Sequence, residues 1–215
     1  RMSCRAFLPT PVPETTVRTI LEQARRCPSG GNVQPWRVYA LTGAPLADLV
    51  AQVHAQIETL PLGEPETEYD IYPPDLGEPY KGRRFQCGED MYATIQVTRE
   101  NRAARLQHFQ RNLEFLGAPV GLFFCLDRHL GPPQWSDLGM FMLSVMLLAR
   151  EHGLDTCAQE AWSRWPKTVG AFLGLPPELM LFAGMALGHG DPAHPLNTLR
   201  TARATVEEFT TFRGF

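Results

Sequence analysis

Apolar residues first recur at helical spacing just after a Pro-rich entry at residues 10–13. Val17, Ile20, Leu21 and Ala24 fall at i, i+3, i+4 and i+7, which is one face of a helix. Pro28 and the Gly30-Gly31 pair end that helix near Cys27, because proline offers no amide hydrogen and glycine destabilises a continuing helix. Residues 36–41 predict a strand, closed by Thr42-Gly43, and a second helix follows with Leu46, Leu49, Val50, Val53 and Ile57 inward. The pattern then lapses. Residues 61–90 are crowded with proline and glycine and read as a long irregular excursion, with Tyr69, Tyr72, Tyr80 and Phe85 spaced along it. Long excursions in compact domains serve as lids or binding loops, or as structural arms laid on a partner.

Periodicity returns with a charged helix expected over residues 91–115 and a short apolar strand over 119–126 that includes Phe123 and Phe124. Residues 136–152 predict a helix that is apolar nearly all round, ended by Gly153. A helix without a wet face belongs in the centre of a domain or in a subunit interface. Residues 154–157 read as a strand, Ser163 as the cap of a helix ending near Leu173, and 179–187 as another buried strand, followed by an extended tail. Alternating helices and strands without an internal repeat favour an α+β sandwich, a central sheet flanked by helices, and the continuous apolar strands imply a sheet covered on both faces.

Composition narrows the function. A chain of 215 residues is one domain with a sizeable core. Its net charge of -3 gives no basic surface for nucleic acid or an anionic membrane. The most apolar stretch, residues 138–149, is shorter than the roughly 20 residues a bilayer requires. Five scattered cysteines, Cys4, Cys27, Cys87, Cys125 and Cys157, suit small buried hydrophobes in a reducing cytoplasm rather than a disulfide framework or a zinc site. No nucleophile elbow or phosphate loop of the Walker type occurs. An enzyme with this inventory borrows its chemistry from an organic cofactor and binds no metal.

Three segments could hold something flat and anionic. In residues 1–7, Arg1, Ser3 and Arg5 alternate, so an extended backbone aims them the same way, and guanidinium forks suit phosphate oxygens. Taken alone, a solvated basic terminus is the plainer reading of this segment. Residues 28–36 gather small residues, amides and a hydroxyl between a helix and a strand. There Gly30 lets backbone approach a ligand, and Ser29, Asn32 and Gln34 offer hydrogen bonds. Gln159, Glu160 and Ala161 leave the end of a predicted strand, placed to meet a ring edge unless they form only a strand-to-helix loop.

In this order the segments resemble the FMN-dependent nitroreductase family. The pattern R-x-S-x-[RK]-x-F is met by Arg1, Ser3, Arg5 and Phe7, and P-S-x-x-N-x-Q-P-W by Pro28, Ser29, Asn32, Gln34, Pro35 and Trp36. A block near C-x-Q-E-x-W is met by Cys157, Gln159, Glu160 and Trp162, and the tail form N-x-L-R-x-x-R by Asn197, Leu199, Arg200 and Arg203. Gln159 to Trp162, the Tyr-rich excursion and Gln134-Trp135 look closest to the nitroaromatic and nitrobenzoate reductase branch. Ala161 stands where many members carry glycine, and Thr201 where one branch carries lysine.

The resemblance implies a central mixed sheet flanked by helices in an intertwined homodimer, with FMN sites built from both subunits. It implies a ping-pong reaction in which NADH or NADPH reduces the flavin and a nitroaromatic or similar small acceptor oxidises it. Carried over, Arg1, Ser3, Arg5, Arg200 and Arg203 would hold the phosphate and ribityl chain. Pro28, Ser29 and Gly30 would come from the other subunit against the ring, with Asn32 and Gln34 shaping that wall. The backbone of Gln159, Glu160 and Ala161 would face flavin N5 and O4, which makes Glu160 the nearest to a catalytic residue. The single domain, 1–215, would cover its active site with the excursion at 61–90, where Tyr69, Tyr72, Tyr80 and Arg83 would meet the acceptor, with Lys81 and Arg84 alongside. Another flavin reaction, substrate oxidation by O2 or reductive dehalogenation, stays open, since fold and cofactor do not fix the acceptor.

Overall fold

The computed structural model describes residues 1–215. Helix α1, Glu14–Ala24, buries Val17, Ile20 and Ala24. Strand β1, Arg37–Thr42, leads into helix α2, Gly43–His54, which buries Leu46, Leu49 and Val53. After the excursion come helix α3, Tyr80–Thr94, helix α4, Arg102–Gln110, and a 3-10 stretch, Arg111–Gly117. Strand β2, Val120–Asp127, is followed by helix α5, Pro132–Glu151, and strand β3, Asp155–Gln159. A 3-10 turn, Glu160–Arg164, precedes helix α6, Pro166–Leu173, and strand β4, Leu179–Gly188. The tail holds a short helix α7, Val206–Phe209.

The four strands form one sheet in the order β1-β2-β4-β3, each pair antiparallel. Parallel pairing is confined to an isolated bridge between Ser3 and Thr156. Even-numbered residues of β2, Val120 to Leu126, face α1 and α5, while Phe123 and Cys125 face α2 and α6. The sheet is thus the middle of three layers, and β2 is buried along nearly its whole length, as its unbroken apolar run required.

Two glycines set how closely the second layer approaches. A Cβ on Gly121 would come 2.6 Å from the ring of Phe115, and one on Gly184 would lie inside the indole of Trp162. Phe115 and Trp162 stack there with centroids 4.7 Å apart, both fully buried. This stack pins the turn that follows β3.

Three local expectations are corrected. The charged stretch is not one helix: it breaks between Thr94 and Arg102, with Gln96 at positive φ, and restarts where Asn101 accepts a hydrogen bond from the Ala104 amide. Asn101 was a readable cap, masked by the charges on either side. Irregular structure ends at Pro79 rather than at residue 90, because α3 buries no residue and so carries no apolar stripe for a periodicity to show. Ser163 does not cap α6. Its hydroxyl bonds back to the Glu160 carbonyl, and the helix is capped from a distance by Glu64. That carboxylate accepts from the amides of Lys167 and Thr168 at 2.7 and 2.9 Å and from the Thr168 hydroxyl at 2.6 Å. A carboxylate at a helix N-terminus meets both unpaired amides and the positive end of the dipole.

Glu64 also anchors the excursion. Further along, Glu68 pairs with Arg128, and the Tyr69 hydroxyl donates to the Phe182 carbonyl at 2.5 Å while its ring packs on Phe182 and Trp135. Phe182 is available because the β2–β4 register slips between Phe124 and Cys125, which leaves it as the extra residue. No helix is long and apolar enough to cross a membrane.

Candidate active site

The turn pinned by Trp162 presents Gln159, Glu160 and Ala161 at the end of β3, which is an outer strand of the sheet. These residues line a cavity of about 490 Å3 with Leu62, Ile71, Tyr72, Arg84, Tyr92, Arg105, Phe109 and Asn112 among its walls. Its volume lies in the usual range for small-molecule sites. The first amides of a helical turn have no acceptor within it, so Glu160 and Ala161 begin this wall with backbone donors. Gln159 is buried. Its Nε2 donates to the Asn112 carbonyl at 2.8 Å, but its Oε1 has no partner in the chain. A buried amide oxygen left without a donor is costly unless a ligand supplies one. Solvent reaches one side of Glu160, yet its surroundings strip enough water away to push its carboxyl pKa upward.

At the other end of β3 the chain termini meet. Ser3 bridges to Thr156, and the Cys4 amide donates to the Thr156 carbonyl at 3.0 Å. Asn197 closes the clip: its Oδ1 accepts from the Arg5 amide at 2.8 Å, and its Nδ2 donates to Ala6 and Asp191, each at 2.8 Å. Arg200 donates to the Asn197 carbonyl at 2.9 Å, so Arg5 and Arg200 flank one residue although they come from opposite ends of the chain. Arg203 lies further along the tail, in a recess against Arg83 and Cys87 of α3. From Thr156 to Gln159 the strand advances about 10 Å. Cationic groups thus stand near the start of β3 and the ring-sized cavity at its end.

The loop at residues 28–34 is elsewhere. It precedes β1, on the opposite edge of the sheet, about 14 Å of strand spacing from β3. Asn32 and Gln34 both hold positive φ, an uncommon conformation outside glycine. Ser29 Oγ accepts from the Gln34 amide at 3.0 Å, and the Gly30 amide donates to the buried Asp137 carboxylate of α5 at 3.2 Å. The loop is therefore built and tied to α5, but one chain does not bring it to Gln159. Of the four excursion residues expected at the acceptor, only Tyr72 lines the cavity. Tyr69 is engaged with Phe182 and Trp135, Tyr80 is exposed outside the cavity, and Arg83 pairs with Glu208 of the tail at 3.0 Å. Tyr92, Arg105, Phe109 and Asn112 were not anticipated. They sit on the broken charged stretch, where Tyr92 and Phe109 were the available aromatic signals.

Comparison with known proteins falls in line with this geometry. The model of the nitroreductase family matches residues 1–189. The 4-nitrobenzoate reductase of Pseudomonas putida is 36% identical, with 100% of this chain and 93% of that protein covered. The FMN- and NADPH-dependent nitroreductase NfnB of Sphigopyxis sp. strain HMH superposes with a TM-score of 0.96 at 43% identity, covering 100% of this chain and 96% of its own. The FMN-dependent nitroreductase NfnB of Mycobacterium smegmatis, solved with NADPH, superposes with a TM-score of 0.94 at 27% identity over 100% and 95%.

Proposed function

This chain belongs to the nitroreductase family, and on that footing we propose that it is an FMN-dependent oxidoreductase that uses NADH or NADPH to reduce small nitroaromatic acceptors. The observation that carries the reading is a ring-sized cavity lined by Gln159, Glu160 and Ala161, one short strand away from the cationic clip at Arg5 and Arg200, with the buried Oε1 of Gln159 left without a partner in the chain. A flavin mononucleotide has both requirements: a flat ring with an N–H donor at one end and a phosphate at the other. The donor set present therefore fits that group.

Bound FMN would supply the hydride chemistry, taking from a nicotinamide and giving to the acceptor. The chain's own part is binding and orientation. Arg1, Ser3, Arg5, Arg200 and Arg203 would hold the phosphate by charge-assisted bonds. Gln159 would accept from the ring edge, and the Glu160 and Ala161 amides would polarise it. The flat side chains of Tyr72, Tyr92 and Phe109 would hold an aromatic acceptor and keep water out. The excursion, as far as Tyr72, would act as the cover of this site within a single domain.

The second wall would come from another copy of the chain. Helix α5 leaves Met140, Leu143 and Leu147 exposed, Leu147 by 54%, and Val33 on the neighbouring loop is exposed by 53%. Because Gly30 is bonded to Asp137, the apolar stripe of α5 and the 28–34 loop form parts of one surface. A homodimer formed on that stripe would carry Pro28, Ser29, Gly30, Asn32 and Gln34 to the partner's cavity. Its interface would belong to the obligate class, above about 2,000 Å2. Five free cysteines suit a reducing cytoplasm.

The test is optical. The purified protein should show the absorption of oxidised flavin, bleach on anaerobic addition of NADH or NADPH, and regain colour on addition of a nitroarene. Flavin that bleaches but is not reoxidised by any nitroarene would overturn the acceptor assignment, and a colourless protein with no affinity for FMN would overturn the whole reading.

A further inference from the structure

Resting on the reading above, we propose that Arg84 selects acceptors that carry a carboxylate beside the reducible group, and that Tyr72 positions its guanidinium for this. Four arginines lie at or next to the cavity, and three are already engaged. Arg105 forks onto Glu89 at 2.6 and 3.0 Å. Arg164 donates to the Leu62 carbonyl at 3.3 Å. Arg83 turns away from the cavity to Glu208. Arg84 lines the cavity and enters none of the chain's ion pairs or side-chain hydrogen bonds; its one contact of note is with the ring of Tyr72, whose centroid lies 4.0 Å from its Cζ.

A guanidinium stacked on an aromatic face keeps its plane fixed and its N–H edge free. That edge matches the two oxygens of a carboxylate, which a neutral nitroarene lacks. The platform is itself held. Tyr72 follows by three residues the Tyr69 anchor on Phe182, whereas Arg84 comes from α3, so the selective wall forms where the anchored excursion meets that helix. The acid that shares the cavity, Glu160, has its carboxyl pKa raised by burial and forms no ion pair with Arg84. Tyr92 and Phe109 supply surfaces for the ring that carries both substituents.

The experiment compares 4-nitrobenzoate with nitrobenzene in the FMN-loaded protein and reads kcat/KM for each. It adds calorimetric binding of benzoate and benzamide to the oxidised protein, which needs no turnover. In Arg84→Gln the preference for 4-nitrobenzoate over nitrobenzene should fall about 10- to 100-fold, the size of one charge-assisted pair, and benzoate binding should weaken by a similar factor. Arg84→Lys should keep part of both. Tyr72→Ala should act in the same direction less strongly, and Lys81→Gln, which removes a nearby charge outside the cavity, should leave the preference as it was. Equal losses for both acceptors, a wild-type protein without preference for the carboxylate, or a loss confined to the NADPH half-reaction would each overturn the proposal. The last would assign Arg84 to the phosphate of the nicotinamide cofactor. If neither acceptor is turned over but Arg84→Gln still loses benzoate, the carboxylate site stands and the nitroreductase reaction fails. If both acceptors are turned over with the preference unchanged, the reverse holds.

Discussion

Strands β3 and β1 close opposite edges of the same sheet, and each carries one part of the family pattern, but under different conditions. At the β3 edge the chain completes its own surroundings. Trp162 is buried under Phe115, Gln159 is bonded to Asn112, and the cavity has walls from the excursion, α3, the stretch from Arg105 to Asn112 and the turn after β3. At the β1 edge the residues of the 28–34 loop are shaped and tethered, yet they face solvent. The difference separates two kinds of specification. The β3 side is fixed by packing within one chain, so damage there should appear as lost stability. The β1 side is fixed by hydrogen bonds within an exposed loop, so if the proposed dimer uses that loop, damage there should appear as lost ligand.

The largest effect is expected from breaking the surface that would join the two. Leu143→Asp with Leu147→Asp places charges on side chains that are exposed in the single chain, so the fold should survive. Sedimentation should show the mass halved, and retained flavin should fall at least tenfold. A monomer that keeps its flavin would mean that both walls come from one chain. Next comes the contrast itself. Trp162→Ala removes a buried indole and should cost about 3–5 kcal/mol, read as a lower denaturation midpoint. Ser29→Ala loses one exposed hydrogen bond and should cost under about 1 kcal/mol, while weakening flavin retention more than that loss of stability would account for. Equal stability losses in the two variants would erase the distinction.

The smallest effect concerns the anchor beneath the cavity and depends on pH. Burial pushes the Tyr69 phenol up to about 12 from its usual 10. The folded state favours the neutral phenol, so its contribution is complete below pH 10 and is lost as the pH climbs toward 12. Tyr69→Phe should be less stable at neutral pH by about 0.5–1.5 kcal/mol, the hydrogen bond to Phe182. Its unfolding free energy should then decline less steeply between pH 10 and 12 than that of the parent. Cys4, Cys125 and Cys157, also pushed up by burial, titrate in that range in both proteins. Parallel pH curves would show that the phenol is not desolvated.

What could be read from the sequence follows how locally each feature is determined. The helix at Val17, Ile20 and Ala24 and the run from Val120 to Leu126 announce themselves because burial imposes a period or removes one. Helix α3 was hidden because it buries nothing, and the cap of α6 because Glu64 lies about a hundred residues before the amides it satisfies. The motif residues Gln159 and Glu160 stand out in the sequence and line the cavity, but Asn112, to which Gln159 is bonded, has no local mark. The charges at Lys81, Arg83 and Arg84 are indistinguishable in sequence. Their fates differ because Glu208 returns from the tail to pair with one of them, whereas Tyr72 offers its ring to another.

The Asn197 clip has a consequence for how the protein is made. Arg5 is synthesised well before Asn197, because the bond between them spans 192 positions. At about 5–20 residues per second, roughly 10–40 seconds of synthesis separate the two. Throughout that interval the nascent chain carries the basic segment without the asparagine that sets its backbone. The sheet can begin to assemble during translation, because β2 and β4 lie well before the tail. The proposed phosphate end of the site must by contrast wait until Asn197 has been made, so the vitamin-derived cofactor should be acquired late in synthesis or after it rather than early.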